Sequence, residues 1–310
     1  MNAITQFEGV WTDVLTPLQD NLQIDEGKLA SHLRNLSAKG LERFVLFGQA
    51  GEGASFSANE KLAAIAQVMA AGVEGPDLVL GVHSSSFSDV AQFIRKAHTL
   101  GVRRFLVSAP QYGLPFNHVA LFDYFDQLIK HVNLPEWQLL IHQLSGNNHA
   151  SDLQEVTLVD LRKVHPQVFT GIVDQDMHIN HTVDLIRTFG AEIAIAACHE
   201  PNLSILKSTV CVSALANVLP GIMRHLMDHK LPVQVTQITG MKVAKPDDRV
   251  VEFMALLGNY PSISALKLLL SQHYRIEGWE RVRPPQATLS NEARTALLGA
   301  FTKFNLQANE

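Results

Sequence analysis

Short apolar runs rich in β-favouring residues alternate with helical sequence along residues 9–215 of this chain. Eight such runs occur, at residues 9–18, 44–47, 77–82, 103–110, 137–143, 168–174, 192–198 and 209–215. A continuous apolar run of this kind is typical of a parallel strand that is covered on both faces. Eight strands, each followed by helical sequence, suit a closed barrel better than an open doubly wound sheet. The alternation therefore predicts an α/β fold, a (β/α)8 TIM barrel, with the open sheet as the alternative.

The last part of the chain lacks this alternation. Beyond about residue 231 the strand signals cease, and helical spacing is found at residues 247–257, 263–273 and 291–304. No low-complexity tract or flexible linker separates these helices from the preceding sequence. We therefore expect a barrel over residues 1–230 and a C-terminal helical region, residues 231–310, that packs on it.

The composition excludes several classes of partner. The formal net charge is −5 and no block of basic residues occurs, so the chain lacks the electrostatic footprint of a protein that binds nucleic acid or an anionic membrane.

The N-terminal sequence has no basic segment followed by an apolar one, and no apolar run approaches membrane-spanning length. The two cysteines, Cys198 and Cys211, lie inside predicted strands, where reduced core thiols are usual. We expect a cytoplasmic protein whose partner is a small molecule.

Residues 44–53, FVLFGQAGEG, join a buried strand to the next helix through a glycine-bracketed turn. Gly48 and Gly51 permit close approach of the backbone. In a barrel of this type the loops that follow the strands carry the chemistry, so the turn is a candidate functional site. Glu52 stands beside two glycines, and we expect its carboxylate to hydrogen-bond backbone amides rather than to act as a general acid.

Five stretches of the chain resemble the motifs of one protein family. They are Thr16-Pro17, GQAGE at 48–52, APQYGLP at 109–115, VSALANV at 212–218 and ERVRPPQATL at 280–289. The corresponding family motifs are TP, GTTGE, TPYY followed by proline, ISxxAN and LRxPxxPL. Over nearly its whole length the chain resembles the pyruvate-dependent class I aldolases typified by dihydrodipicolinate synthase and N-acetylneuraminate lyase. The resemblance implies a TIM barrel, lyase chemistry, and a homodimer or homotetramer.

The chain departs from this family at the residue that carries the covalent chemistry. The family's Schiff-base lysine lies in a GIKE-like motif at the end of the sixth strand, and the matching residues here are Gly171-Ile172-Val173-Asp174. Val173 therefore occupies the lysine position. An imine requires an amine with a free lone pair, which a valine side chain cannot provide. We expect Lys163 and Lys207 to face outward, so Schiff-base catalysis is predicted to be absent.

Other motif positions differ as well. Gln49 and Ala50 replace the two hydroxyl residues that hold the keto-acid carboxylate in the family. Leu114 replaces an arginine used for a second substrate carboxylate, so classical dihydrodipicolinate synthesis is not expected. Tyr112 matches the family's proton-relay tyrosine and is the candidate catalytic residue that the resemblance implies. Its alternative role is that of an aromatic residue lining the barrel mouth.

A small 2-oxo acid or sugar acid is predicted to bind at the C-terminal ends of the strands, without a cofactor. The candidate binding residues are Gly48, Gln49, Ala50, His142, Asp174 and Val212. The first three belong to the glycine-bracketed turn, and the others end the fifth and sixth strands or lie in the VSALANV stretch.

Three lysine-free alternatives remain open. His83, His142 and His199 end the third, fifth and seventh predicted strands, so their imidazoles could hold a divalent metal that acts as a Lewis acid. Tyr112, His142 or Asp174 could instead move protons in a hydration, dehydration or isomerisation reaction. The third alternative is non-catalytic, with the barrel acting as a small-acid sensor or as a scaffold in an oligomer.

Overall fold

The computed structural model of the chain describes most of its residues. The described residues are 7–110, 116–144, 153–175, 178–206, 208–228, 235–238, 241–244, 247–302 and 304. Tyr112, Leu114 and Lys207, three residues named above, lie outside these ranges.

Eight parallel strands form a closed barrel in chain order. They are β1 Gly9–Asp13, β2 Phe44–Leu46, β3 Leu78–Val82, β4 Arg104–Ser108, β5 Gln138–Gln143, β6 Phe169–Asp174, β7 Ala194–Ala197 and β8 Val210–Ser213. The barrel closes where β8 pairs with β1, with Gly9 opposite Val210 and Thr12 opposite Ser213. The predicted (β/α)8 barrel is confirmed, and the open sheet is excluded because β1 and β8 are hydrogen-bonded neighbours.

Helices follow the strands and surround the barrel. They are α1 Glu26–Ala38, α2 Ala58–Ala70, α3 Phe87–Thr99, α4 His118–Val132, α5 Glu155–Val164, α6 Ile179–Phe189, α7 Leu203–Leu206 and α8 Pro220–Met227. At the start of α2, Ser57 and Glu60 form a capping box, in which each side chain accepts a hydrogen bond from the other residue's backbone N–H. This capping fixes where the glycine-bracketed turn ends and the helix begins.

The C-terminal region contains a strand pair as well as the predicted helices. Helices α9 Asp248–Leu257, α10 Ser262–Tyr274 and α11 Asn291–Phe301 agree with the three predicted segments. Before them, β9 Val235–Ile238 pairs with β10 Met241–Ala244 in antiparallel fashion, so the prediction that strands end near residue 231 is wrong. Two four-residue runs separated by a pair of residues that includes Gly240 are the sequence signal of a hairpin.

Apolar side chains fill the lower part of the barrel lumen. The inward-facing cluster comprises Phe7, Trp11, Val45, Val79, Leu106, Leu140, Val173, Ala194, Ala196, Val210 and Val212. The void among these side chains is about 10 Å³, which is at the limit of what one water molecule needs. A larger cluster packs between the outer face of the strands and the helices. The packed lumen leaves the C-terminal mouth of the barrel as the place for a site.

Within the described ranges, no single helix is long and apolar enough to cross a membrane. Helices α9 and α10 meet that requirement only as a pair, and they are bent by 110° relative to each other.

Candidate ligand-binding site at the barrel mouth

A cavity of about 660 Å³ lies at the C-terminal ends of the strands, between the barrel and the C-terminal helices. The barrel contributes Asp13, Gln49, Ala50, Gln175, Cys198, His199, Glu200 and Val212. The opposite wall is more apolar and includes Met254, Leu257, Tyr260, Ile263 and Leu266 from α9, α10 and their connection. The cavity has the volume of a small-molecule site and the usual mixture of an apolar wall with a few polar groups.

The glycine-bracketed turn after β2 approaches its neighbours closely. A Cβ atom on Gly53 or on Gly81 would lie 1.9 Å from the Phe47 carbonyl oxygen, so only glycine fits at these two positions. Phe47 and Glu52 adopt left-handed backbone conformations, with φ of 58° and 55°. Non-glycine residues in this region cost about 1–3 kcal/mol each and are held there by the surrounding structure. The turn is therefore a shaped and constrained part of the mouth.

Asp13 is a site residue that the sequence analysis missed. It ends β1 and lies under the turn, where its Oδ2 accepts a hydrogen bond from the Ala50 backbone N–H at 3.0 Å. A Cβ atom on Gly48 would lie 2.3 Å from Asp13 Oδ1. Burial raises the pKa of Asp13 to about 7, although the backbone of Ala50 and Gly51 offsets part of the effect. The sequence feature that could have indicated Asp13 was the presence of an acidic residue inside the first apolar strand.

Glu200 is a second buried carboxyl group at the same cavity. It follows β7, and one of its oxygens accepts a hydrogen bond from the Ser213 hydroxyl at 2.9 Å. Burial raises its pKa to about 7 as well. Burial also raises the pKa of the nearby Cys198 thiol well above its usual value, so this thiol is a poor nucleophile near neutral pH.

His142 points into the lumen beside Val173, its register partner on β6. Its ring lies against that of His83, with 6.3 Å between the ring centroids. Burial lowers the pKa of His142 to about 4. The nearby Gln175 side chain offsets part of this effect, although it forms no hydrogen bond of normal geometry with the ring. Burial, with smaller contributions from Lys61 and His142, lowers the pKa of His83 to about 3. Both imidazoles are therefore neutral at physiological pH.

The described geometry does not support the alternative of a metal site at His83, His142 and His199. His83 and His142 lie side by side, whereas His199 lines the cavity at the end of β7. Among the described residues, no three His, Cys, Asp or Glu side chains are grouped so that they could hold a metal ion. A protein zinc site needs three or four such ligands.

Several buried polar atoms at the mouth lack a hydrogen-bond partner in the described part of the chain. They are Asp13 Oδ1, His83 Nε2, Ser108 Oγ, both ring nitrogens of His142, Gln175 Oε1 and His199 Nε2. These residues lie at or just after the C-terminal ends of β1, β3, β4, β5, β6 and β7. Three further unpartnered atoms, Trp11 Nε1, Thr12 Oγ1 and Thr170 Oγ1, lie within β1 and β6. Native proteins leave few buried polar atoms unpaired, and most of those in the described residues lie at the mouth.

Val173 is buried in the lumen, between His142 on β5 and Ala196 on β7 in the strand register. Lys163 on α5 has a 71% exposed side chain, so it faces outward as predicted. Two other lysines are buried away from the lumen. Lys61 lies over the rings of Phe47 and Phe93, and Lys267 on α10 pairs with a carboxylate.

Asp174 is buried at the end of β6 but contacts helix α6 rather than the cavity. Its Oδ2 accepts a hydrogen bond from the Thr182 hydroxyl at 2.5 Å, and His181 Nδ1 lies 3.1 Å from its Oδ1. Successive residues of a strand point to opposite faces, so Asp174 faces the helix layer when Val173 faces the lumen. The structure thus separates Asp174 from the other predicted binding residues.

Glu52 joins the turn to the C-terminal region. Its carboxylate lies 2.5 Å from Lys267 Nζ and, as predicted, accepts a backbone N–H, which comes from Arg283 at 2.8 Å. On the other side of the turn, the Thr16 hydroxyl donates to the Gly51 carbonyl oxygen at 2.7 Å. Asn217 accepts the Leu15 N–H and so holds the end of β1. Several residues of the recognised motifs therefore shape the mouth through internal contacts.

Comparison with known protein families shows to which family the chain belongs. Residues 6–303 match the model of the Dihydrodipicolinate synthetase family. The chain belongs to this family. A 4-hydroxy-tetrahydrodipicolinate synthase from Agrobacterium fabrum is 22% identical over 306 residues, which cover 96% of this chain and 98% of the relative. A synthase of the same name from Bdellovibrio bacteriovorus is 26% identical over 189 residues, covering 61% of this chain and 62% of that protein.

Solved structures agree with this assignment. Dihydrodipicolinate synthase from Agrobacterium tumefaciens superposes with a TM-score of 0.84 at 25% identity, covering 96% of this chain and 99% of the other. N-acetylneuraminate lyase from Proteus mirabilis superposes with a TM-score of 0.80 at 18% identity, again covering 96% and 99%. The second similarity concerns the fold alone. This family member therefore has the barrel and the C-terminal helices of its relatives.

Proposed function

We propose that this member of the dihydrodipicolinate synthetase family binds a small polar molecule in the mouth cavity and does not form a Schiff base with it. The observation that carries the proposal of binding is the group of buried, unpartnered polar atoms at the strand ends beside a cavity of about 660 Å³. A ligand with hydrogen-bonding groups would satisfy atoms that the described protein leaves unpaired.

The absence of Schiff-base chemistry rests on Val173. In the motif comparison it occupies the position of the family's lysine, and its side chain lies in the lumen among apolar residues. No lysine belongs to the described lining of the cavity. Lys267, which is buried nearby on α10, is paired with Glu52 and also donates to the Arg281 carbonyl oxygen at 2.6 Å. An amine held by a carboxylate and a carbonyl oxygen is not free to attack the carbonyl carbon of a ligand.

We assign ligand contacts to the turn and to the lumen face of the mouth. Gln49, Ala50 and Val212 belong to the described lining of the cavity. Gly48 and His142 do not belong to it and stay predicted contacts, Gly48 from the motif comparison and His142 from its place near the end of β5. Asp174 is left out of this set because Thr182 and His181 occupy its carboxylate. Tyr112 remains a predicted catalytic residue on the strength of the motif alone.

Two measurements test the proposal. Borohydride reduction in the presence of pyruvate, followed by intact-mass analysis, should leave this protein unmodified, whereas a lysine-bearing dihydrodipicolinate synthase treated in parallel should gain the pyruvyl mass. A reduced adduct on this protein would overturn the claim about Val173. A thermal-shift panel of 2-oxo acids, sugar acids, neutral sugars and amino sugars tests binding, because a ligand of the native state raises the melting temperature. No response to any compound would favour the scaffold role.

A lysine-free acid–base reaction is a second candidate, favoured by the two buried carboxyl groups of the cavity. Burial raises the pKa values of Asp13 and Glu200 to about 7, where a carboxyl group can both donate and accept protons at physiological pH. A compound that shifts the melting temperature should then be converted slowly, as followed by proton NMR. Glu200→Gln should abolish turnover while still binding the compound, and retained turnover would refute this role for Glu200.

The expected assembly is a homodimer or homotetramer. Light scattering coupled to size-exclusion chromatography measures it directly, and a monomeric mass would contradict the prediction.

A further inference from the structure

We infer that Asp13 fills the place where the turn would otherwise hold a ligand carboxylate, so that the ligand is a neutral or amine-bearing polyhydroxylated compound. This inference rests on the proposed function, because it specifies the class of molecule that the mouth cavity accepts. It differs from the 2-oxo acid or sugar acid that the family resemblance implies.

The first observation is the position of the Asp13 carboxylate. Backbone N–H groups at the bend of a turn form a concave donor site for anions. Here the Ala50 N–H already donates to Asp13 Oδ2 at 3.0 Å, and the backbone of Gly51 also acts to lower the pKa of this carboxyl group. Asp13 Oδ1 sits so close to Gly48 that a Cβ atom there would be 2.3 Å away. A ligand carboxylate cannot occupy the same donors without displacing Asp13.

The second observation is the charge of the cavity. Its described lining contains two carboxyl groups, Asp13 and Glu200, and neither a lysine nor an arginine. Lys61 lies over the rings of Phe47 and Phe93 and outside the described lining, and two other cationic side chains near the turn have ionic partners. Lys267 pairs with Glu52, and Arg283 donates to Glu60 at 2.8 Å and to the Ser55 carbonyl oxygen at 2.9 Å. Where these carboxyl groups are ionised, an anionic ligand would meet like charge, and where they are protonated it would still find no cationic side chain in the described lining.

The third observation is the kind of hydrogen-bonding group left unpartnered. Asp13 is 4% exposed and its Oδ1 has no partner within the described residues. Gln175 Oε1, an amide acceptor at the same cavity, also lacks one, as does His199 Nε2. Two of these three atoms can accept hydrogen bonds from a ligand, and hydroxyl or ammonium groups supply such bonds whereas a carboxylate does not.

The experiment removes the Asp13 carboxylate and asks whether a free carboxylate takes its place. Asp13→Ala leaves the Ala50 N–H without its acceptor, so acetate or pyruvate should raise the melting temperature of this variant by about 2 °C or more. Asp13→Asn is the matched control, because its amide oxygen can still accept from Ala50 and should leave no place for acetate. Pyruvate should bind the alanine variant about tenfold or more tightly than it binds the wild type.

The ligand class is tested on the wild type with size-matched pairs. Hydroxyacetone is compared with pyruvate, and glucose and glucosamine with glucuronate. The uncharged or amine-bearing member of each pair should give the larger shift. A larger response of the wild type to pyruvate or glucuronate would overturn the inference, as would a folded Asp13→Ala protein that ignores acetate and pyruvate.

If Asp13→Ala does not fold, Asp13→Ser replaces it, because serine also removes the carboxylate. Acetate should raise the melting temperature of the serine variant in the same way. If the wild type responds to no compound, the proposed binding function is wrong. The acetate response of the Asp13 variants then still decides whether the turn is occupied by the chain's own carboxylate.

Discussion

Replacing Asp13 by asparagine should change how the stability of the protein depends on pH. The folded-state pKa of Asp13 is raised from 3.8 to about 7 by burial. Between these values the folded protein retains a proton that the unfolded chain has released. The contribution of this group to stability is therefore greatest at low pH and is lost as the pH rises through about 7. Asparagine has the same shape but does not ionise, so it does not incur this loss.

The magnitude follows from the difference between the two pKa values. One pKa unit corresponds to about 1.4 kcal/mol, so complete ionisation of Asp13 costs the folded state about 4 kcal/mol relative to the unfolded chain. The stability of Asp13→Asn minus that of the wild type should rise by about this amount from about pH 4 to about pH 8. A difference in the free energy of unfolding that is the same at every pH would come from the new amide group and not from the ionisation of Asp13.

Urea unfolding at a series of pH values, with both proteins measured in the same buffers, gives the required free energies of unfolding. Glu200 titrates in both proteins, because its pKa is also raised to about 7, so it contributes to each curve but largely cancels in the difference. The difference in free energy of unfolding between Asp13→Asn and the wild type should rise with pH. If it stays constant or falls, ionisation of Asp13 does not destabilise the folded state and the argument is refuted.

Three further predictions concern two contacts at the mouth and one between β6 and α6. Lys267→Met leaves Glu52 as an uncompensated buried carboxylate and should lower the free energy of urea unfolding by about 3–5 kcal/mol, with partial recovery when Glu52→Gln is added. Gly48→Ala places a Cβ atom against Asp13 and should cost about 1–3 kcal/mol. A double-mutant cycle should reduce that cost in the Asp13→Ala background, and full additivity would argue against the contact. Asp174→Asn should weaken the start of α6 by about 1–3 kcal/mol, seen as faster hydrogen exchange in Ile179–Phe189 with unchanged exchange in α3.

Much of the barrel was accessible from the pattern of residues alone. The apolar runs, the capping box at Ser57 and Glu60, and the helical spacing after residue 247 each report on a short stretch of chain. The β9–β10 pair was missed because its two runs, VTQI and MKVA, mix polar with apolar residues and lack the continuous apolar character of the barrel strands. The continuous runs were enough in number and order to predict a closed barrel, with an open sheet as the alternative.

The candidate site was accessible only in part. The motif comparison indicated the turn and Val173, and the end of the fifth strand indicated His142. The alternation of side chains along β6 could also have indicated that Asp174 faces away from Val173. The alternative of a metal site at His83, His142 and His199 required the side chains at the ends of three strands to converge on one metal position. In the structure His83 and His142 lie ring to ring, His199 lines the cavity that they do not line, and no group of three metal ligands is found among the described residues.

The sequence by itself determined the family and the eightfold alternation, and it is the basis of the prediction that Val173 replaces the family's lysine, because periodicity and motifs are properties of neighbouring residues. Only the tertiary structure decided that Asp13 lies under the Ala50 N–H, 37 residues away, and that Glu52 pairs with Lys267, 215 residues away. Such contacts form only when the strands close into a barrel and the C-terminal helices pack over its mouth. Closure and packing set which distant side chains meet, how deeply they are buried, and hence their charge and the ligands they accept.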